Sequence, residues 1–239
     1  MIPTSPGRPI GTTSARGNAD HGWLRSRHSF SFADYYEPTR MGFGCLRVIN
    51  EDRVAPGQGF GTHAHRDMEI LSYVLSGELA HKDSLGTGSV IRSGDLQRMT
   101  AGSGVTHSEF NASQHTPVHF LQIWLLPERN GLPPGYEQKT FPPGEQRNSF
   151  RLIASRDGRE QSITVHQDVE LYAASVEVNA TVTHSVRDGR IAWIQIVAGK
   201  LQVDGQQLEA GDGLGIRTPG ALRFTGIEAA ELLLFDMPG

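Results

Sequence analysis

The chain has 239 residues, a formal charge of -4 at pH 7 and a single cysteine, Cys45. This charge provides no electrostatic excess for binding a phosphate backbone, which argues against direct nucleic-acid binding. One cysteine excludes an internal disulfide framework and a cysteine-based zinc or iron–sulfur site. The N-terminal stretch lacks the apolar core of a secretory signal, and later apolar runs are too short to cross a bilayer. We therefore expect a soluble, cytoplasmic protein without membrane contact, in which any metal has nitrogen and oxygen ligands.

Short strand-like runs recur along the whole chain, from CLRVINE near residue 45 to ELLLFD near the C-terminus. They are separated by turn-forming glycine, proline, asparagine and aspartate, and the chain contains 28 glycines and 13 prolines. No segment shows sustained helical periodicity. The pattern predicts an all-β protein built as sandwiches or barrels, with few short helices. The one segment that could form a short helix is FADYYEP, before Pro38.

Domain organisation is indicated by a stretch rich in proline and glycine, RNGLPPGYEQKTFPPGEQR at residues 129–147, which favours a linker. We predict domains at 1–130 and 148–239, with a linker at 131–147. The two halves also share an order of strand, glycine turn, strand, Gly-Asp pair and strand, which pairs Gly77 with Gly199 and Gly94 with Gly211. This order suggests a duplication. The alternative is that any two antiparallel segments with glycine turns look alike.

Two pairs of metal-binding residue types occur at a spacing of two. His63 and His65 lie in FGTHAHRDMEILSYVLSGE, and His107 and Glu109 lie in TAGSGVTHSEFN. Residues at i and i+2 of a strand point to the same face. Imidazole suits Fe, Cu, Ni, Co or Zn, and a carboxylate adds a hard ligand. Four protein ligands leave positions open for water, dioxygen or a chelating substrate, as in a catalytic site. An isolated His-x-His is more often a surface pair, so the second pair carries much of this prediction.

These motifs resemble a known family. Gly57-x5-His63-x-His65-x3-Glu69 resembles the first cupin motif, and Gly104-x2-His107-x3-Asn111 resembles the end of the second. More narrowly, HAHRDMEILSYVLSGELAHKDSLGTGSVIRSGDLQRMTAGSGVTHSE resembles the signature of the pirin family of bicupins, and GWLRSRHSFSFADYY at 22–36 resembles the N-terminal segment of bacterial pirin-like proteins. The resemblance implies two antiparallel β-barrel or jelly-roll domains. The first would hold one divalent metal, and the second would be a degenerate cupin without metal ligands.

The resemblance also implies the ligand set, which is His63, His65, His107 and Glu109. General cupins often take the carboxylate from the position of Glu69, which would face the metal if the strand ran unbroken from His65. The pirin pattern prefers Glu109. Iron(II) is our favoured ion, and Cu, Ni, Co, Mn and Zn also suit these ligands.

Several other residues are predicted to lie outside the site. His81 and His119 are interpreted as structural strand histidines, and His115 as a solvated turn residue. The aromatic segment after His28, with Phe30 and Phe32 on one face, is interpreted as a strand that covers a barrel or the domain junction. Cys45 is interpreted as a small buried hydrophobe.

The leading function implied by the resemblance is a quercetin 2,3-dioxygenase, which cleaves a flavonol with dioxygen and releases carbon monoxide. Its metal would act as a Lewis acid toward the flavonol 3-hydroxyl, and Glu109 would accept the proton as a general base. One alternative, also implied by the resemblance, is a metal- or redox-sensing co-regulator that acts on a protein partner. A third interpretation is a metal-binding stress component whose activity on phenols is incidental.

Overall fold

The computed structural model describes residues 9–11 and 15–239, and side chains from residue 15 onward. Within these residues no helix reaches seven residues, so the all-β expectation is confirmed. No described segment forms a helix long and apolar enough to cross a membrane. Much of the N-terminal stretch in which we expected no secretory signal, residues 1–8 and 12–14, lies outside the described residues.

The strands are numbered in chain order. Those of the N-terminal half, with the terminal strand β1, are β1 (Pro9–Gly11), β2 (Gly17–Asp20), β3 (Leu24–His28), β4 (Leu46–Val54), β5 (Gly59–His65), β6 (Glu69–Ser76), β7 (Glu78–Asp83), β8 (Gly88–Arg92), β9 (Asp95–Thr100), β10 (Val105–Asn111), β11 (Val118–Leu125) and β12 (Gly135–Thr140). The C-terminal half contains β13 (Arg151–Ser155), β14 (Ile163–Thr164), β15 (Glu170–Val176), β16 (Thr181–Val186), β17 (Arg190–Ala198), β18 (Lys200–Val203), β19 (Gln206–Glu209), β20 (Gly213–Ile216), β21 (Gly220–Gly226) and β22 (Ala230–Pro238). Two short 3-10 turns lie at Pro143–Gln146 and Arg159–Gln161.

Each half is built from one seven-stranded and one four-stranded sheet. The N-terminal sheets have the orders β12-β9-β6-β11-β4-β3-β2 and β5-β10-β7-β8. The C-terminal sheets have the orders β1-β20-β17-β22-β15-β13-β14 and β16-β21-β18-β19. The strands that occupy matching positions from β4 to β11 and from β15 to β22 follow one another in the same chain order. The two halves are therefore two copies of one barrel topology, as the duplication hypothesis requires.

The glycines that suggested the duplication occupy equivalent turns. Gly77 lies between β6 and β7 with a φ of 80°, and Gly199 lies between β17 and β18 with a φ of 70°. A Cβ at either position would meet backbone atoms of a neighbouring chain segment, at 2.8 Å from the Pro117 carbonyl oxygen and 1.9 Å from that of Ala229. Both turns thus require glycine for backbone conformation and for space.

Two edge strands, β1 and β12, form in segments that the sequence pattern did not predict as strands. The segment predicted as a linker contains β12, which pairs with β9 of the N-terminal barrel over Gly135–Thr140. At the same position in the other barrel, β20 pairs with β1 from the chain's N-terminal end. Proline and glycine therefore punctuate the ends of β12 without preventing a strand between them.

The short helix considered around FADYYEP is not formed. Phe32 and Tyr35 instead close a tight turn through two mutual backbone hydrogen bonds of 3.0 Å, with Ala33 at a φ of 48°. The shared face expected for the two phenylalanines is also wrong, because Phe30 is buried at the junction between the barrels while Phe32 lines a cavity inside the first.

The two barrels share one apolar core at their junction. The Phe30 ring lies 4.9 Å from the ring of Trp193 on β17, and the Phe43 ring lies 5.5 Å from the same indole. All three side chains are at most 2% exposed. Cys45 packs against this cluster, with Sγ 3.7 Å from Sδ of Met237, and burial raises the pKa of its thiol to about 12. The junction is thus continuous with the interiors that it connects.

Phe30→Ala should lower the free energy of unfolding by about 3–5 kcal/mol, because it removes a buried aromatic ring and leaves a cavity beside Trp193. Chemical denaturation monitored by far-UV circular dichroism measures this change. Tyr36→Ala, in the same segment but 72% exposed, is the control and should stay within about 0.5 kcal/mol of the wild type. Equal effects of the two substitutions would contradict a packed junction.

Candidate metal centre

Two neighbouring strands of the four-stranded sheet bring the predicted histidines together. In the antiparallel ladder between β10 and β5, His107 lies opposite His63, and Val105 lies opposite His65. The next pair in the ladder is Phe60 opposite Glu109. Two residues of β5, Gly61 and Thr62, lie between these pairs where β10 has only Ser108, so β5 carries a bulge there. Bulges re-aim side chains beside functional sites. This one lets both Phe60 and His63 line the same interior cavity.

The three imidazoles form a compact triangle. Their ring centroids are separated by 4.8 Å for His63–His65, 4.5 Å for His63–His107 and 4.9 Å for His65–His107. One nitrogen from each ring lies within 4.8 Å of the other two. The Nε2 atoms of His65 and His107 are buried and have no hydrogen-bond partner in the part of the chain that the structure describes. Because unpartnered buried nitrogens are costly, this donor set fits a metal ion.

Hydrogen bonds on the far side of the rings set the tautomers. His63 Nδ1 lies 2.7 Å from the Gly61 carbonyl oxygen, so it must donate and leave Nε2 without a proton. His107 Nδ1 lies 3.5 Å from Nδ1 of His81, whose Nε2 is 3.0 Å from Asp83 Oδ2. If His81 donates to Asp83, its Nδ1 can accept from His107. The Nε2 atoms of His63 and His107 are then lone-pair donors, as metal ligation requires.

Burial favours the neutral form of two of the three imidazoles, His65 and His107. It lowers the pKa of His65 to about 4, with a further contribution from His63. It lowers the pKa of His107 to about 3, where neighbouring histidines add to the effect. Near neutral pH a metal therefore meets little competition from protons at these two rings.

Glu109 is buried, as His107 is, whereas His63 and His65 are partly exposed. It is 1% exposed and sits opposite His81 on β7, where one of its oxygens lies within 4.8 Å of nitrogens of both His81 and His107. Ser72 donates to its Oε1 at 3.2 Å, and Gln122 donates to its Oε2 at 2.6 Å. Burial raises the pKa of this carboxyl group despite these bonds. The structure thus groups Glu109 with His107 and His81, but not directly with His63 and His65.

Glu69, the alternative carboxylate, faces another direction. The strand does not run unbroken from His65, because residues 66–68 separate β5 from β6 and Asp67 adopts a φ of 50°. Glu69 is fully buried, and its Oε2 accepts hydrogen bonds from the backbone and the Nδ1 of His166, at 3.1 and 3.3 Å. It therefore links the first barrel to the second instead of joining the histidine triangle.

A cavity of about 780 Å³ opens onto the histidines, which is within the size range of small-molecule sites. His63, His65 and Gln122 lie at its metal side. Its walls include two edge-to-face aromatic pairs, Trp23–Phe60 and Phe32–Trp124, with centroid separations of 5.3 and 5.4 Å. The cavity can thus hold a flat aromatic molecule beside the histidine triangle.

Sequence reasoning missed a polar band on the inner face of the seven-stranded sheet. Its members are buried and lie opposite one another in register across five strands: His28, Asn50, Gln122, Ser72 and Gln97. Gln122 and Ser72 hold Glu109, and His28 Nδ1 bonds Asn50 Oδ1 at 2.8 Å. A signal for this band existed in the polar residues at alternate positions of apolar strands, such as Asn50 and Asp52. Two histidines that were predicted to lie outside the site adjoin it: His28 lines the cavity, and His81 contacts the proposed ligand His107. His115 is exposed, as predicted.

The second barrel replaces nearly every corresponding residue. When Gly77 is matched to Gly199, the ladder partners put His184 at the position of His63 and Val186 at that of His65. The same register puts Leu222 at the position of His107 and Phe224 at that of Glu109. Phe224 is fully buried, and His184 bonds Asp236 at 2.8 Å. Among the described residues, groups of histidine and acidic side chains close enough to hold an ion occur only in the first barrel.

These features define the chain as a two-barrel cupin protein with a divalent-metal centre in the first barrel. Comparisons with known proteins agree. The family model described as Pirin matches residues 11–125, and the model described as quercetinase C-terminal cupin domain matches residues 152–237. The chain belongs to the pirin family.

Individual relatives span nearly the whole chain. It is 45% identical over 223 residues to quercetin 2,3-dioxygenase of Escherichia coli K12, which covers 93% of this chain and 95% of that protein. It is 39% identical to a pirin-like protein of Caulobacter vibrioides, with coverage of 92% and 95%. The crystal structure of the E. coli bacterial pirin YhhW in complex with nickel(II) matches with a TM-score of 0.91 and 44% identity, over 95% of this chain and 97% of that one.

Replacing any one of His63, His65 and His107 with alanine should lower metal affinity by more than the roughly 10- to 100-fold that loss of an outer-shell partner costs. Each substitution removes a donor that the remaining residues cannot replace. Metal content after dialysis and titration calorimetry with a divalent ion measure the change. His115→Ala, which removes an exposed imidazole, should bind like the wild type. Wild-type affinity in His63→Ala would show that the triangle does not hold the ion.

The buried carboxyl group of Asp52 gives a separate expectation for stability. Burial raises its pKa from 3.8 to about 7, and nearby Glu109 and Glu51 add to the effect against a hydrogen bond from Ser26. Between about pH 4 and pH 7 the folded state holds a proton on Asp52 that the unfolded state has released. The contribution of this proton to the free energy of unfolding is therefore complete below about pH 4 and is lost as the pH rises through 7. Compared with Asp52→Asn, the metal-free wild type should therefore lose stability across this range in denaturant titrations. A pH-independent difference would contradict the shift.

Proposed function

We propose that this protein is a metal-dependent dioxygenase that cleaves flavonols such as quercetin with dioxygen. The observation that carries the proposal is the position of the histidine triangle at one side of a cavity with aromatic walls, where a flat phenol and the ion would be neighbours. The name of the E. coli relative, quercetin 2,3-dioxygenase, supports the same substrate class.

The donors proposed for the ion are His63, His65, His107 and Glu109. When bound, the metal would supply a Lewis-acid centre for the flavonol 3-hydroxyl and a site for dioxygen. We propose iron(II) for turnover, because mixed histidine and carboxylate sites with open positions are typical of non-heme iron oxygenases. The nickel(II) in the E. coli structure belongs to that protein and makes nickel the first ion to compare with iron.

Glu109 is proposed as the catalytic carboxylate that accepts the proton of the 3-hydroxyl. Burial raises its pKa, which brings a carboxylate closer to the range in which a general base is effective. Gln122 lines the cavity and donates to Glu109 Oε2, so this amide would keep the carboxylate oriented behind the substrate. The aromatic walls would exclude water from the reacting molecule.

Wild-type protein loaded separately with Fe, Ni, Cu, Co, Mn or Zn should release carbon monoxide from quercetin in air in a metal-dependent way. Glu109→Ala should lose this activity, and Glu109→Gln should lose at least about 100-fold in kcat if the proton acceptor is removed. Carbon monoxide detection, together with quercetin absorbance, measures turnover. His115→Ala should keep full activity.

Full metal occupancy with no turnover for any ion would contradict the dioxygenase proposal. It would favour the metal-sensing co-regulator with a protein partner, in which the same ligands bind an ion without a dedicated reaction. Turnover that persists in Glu109→Ala would instead remove only the catalytic role proposed for this residue.

A further inference from the structure

The cavity contains a polar group that neither the proposed metal ligands nor the proposed catalytic step employs. Asp52 lies on β4, is 3% exposed and lines the cavity. Its Oδ1 is one of the few buried side-chain oxygens without a hydrogen-bond partner among residues 15–239. An unpaired buried oxygen of this kind costs about 1–3 kcal/mol and is uncommon in folded proteins.

The neighbours of Asp52 do not account for this oxygen. Ser26 lies directly opposite on β3, where its hydroxyl lowers the pKa of the Asp52 carboxyl group and lies 3.4 Å from Nδ1 of His28. Asn50, on the same face of β4, has its Oδ1 engaged by His28. On the other side, Phe120 of β11 lies opposite Asp52 and offers no polar atom in its side chain. The charged residues next to Asp52 along β4, Glu51 and Arg53, pair with each other on the outer face.

Asp52 and the histidine triangle stand on different sheets of the barrel. Asp52 belongs to the seven-stranded sheet, His63 and His65 belong to the four-stranded sheet, and all three line the same cavity. A molecule held at the triangle can therefore extend toward Asp52. The aromatic walls between these sheets favour a flat ring system, and the free oxygen requires an O–H or N–H donor from that molecule.

We propose that Asp52 is a substrate-binding residue that receives a hydrogen bond from a phenolic hydroxyl remote from the one held at the metal centre, and so selects polyhydroxylated flavonols. This inference rests on the proposed function, because it deepens the substrate class of the same cavity.

Binding to metal-free protein tests the inference without requiring turnover. Titration calorimetry, or quenching of the cavity-lining Trp23 and Trp124, would compare quercetin with 3-hydroxyflavone, which keeps the 3-hydroxyl and lacks the others. Wild-type protein should bind quercetin more tightly, and Asp52→Leu should reduce this preference by about 10- to 100-fold, the range of a hydrogen bond to a charged group. Asp52→Asn should keep part of the preference, and exposed Asp188→Asn should keep all of it.

Stability separates substrate binding from a structural role. Without ligand near pH 7.5, Asp52→Leu and Asp52→Asn should be at least as stable as the wild type, because each removes a poorly paired buried carboxylate. A destabilised variant that loses affinity equally for both flavonols would overturn the inference, as would an unchanged preference in Asp52→Leu or a wild type that binds neither compound. If quercetin binds through Asp52 but no loaded metal supports carbon monoxide release, the inference stands and the dioxygenase proposal fails.

Discussion

The constraint on which the rest of the site depends is the burial of imidazole nitrogens that receive no hydrogen bond from the described protein. Leaving such atoms unpaired costs stability, so the surrounding barrel must hold the rings in place by other means. It does so from behind, through the Gly61 carbonyl and the His81–Asp83 pair. The ladder between β5 and β10 supplies the rest, since it fixes His107 opposite His63. Strand register therefore brings the imidazoles together, and the tautomers of His63 and His107 leave their Nε2 lone pairs available to a metal ion.

The first barrel buries several histidines, Glu109 and the polar band, whereas the interior of the second barrel is mainly apolar. At the positions of His107 and Glu109 it has Leu222 and Phe224, and the polar band gives way to side chains such as Leu234 at the position of Gln122. The shared cluster around Trp193 joins this apolar interior to the first barrel. One copy of the duplicated topology thus carries a band of buried polar side chains, while the interior of the other is mainly apolar.

The polar band makes different hydrogen bonds at its two ends. Toward the four-stranded sheet, Gln122 and Ser72 hold Glu109 beside the imidazoles. Toward the outer strands, His28 and Asn50 satisfy each other and leave Asp52 with a free oxygen. Burial is the main cause of the raised pKa of both the Glu109 and the Asp52 carboxyl group. Their environments nevertheless differ, because both oxygens of Glu109 accept hydrogen bonds, whereas Oδ1 of Asp52 has no partner among the described residues.

The sequence by itself determined the fold class and the repeat, and it predicted the three histidines that the structure brings together. Strand periodicity and turn residues are local properties, and an i, i+2 spacing fixes a shared face wherever a strand is regular. Only the tertiary structure decided the consequences of the places where a strand is irregular or interrupted. The turn at Asp67 sends Glu69 toward His166, the bulge in β5 brings Phe60 into the cavity, and β12 forms a strand between prolines because β9 offers it a ladder. His81 and Asp52 become important through contacts and burial between segments distant in the chain, which no local pattern encodes.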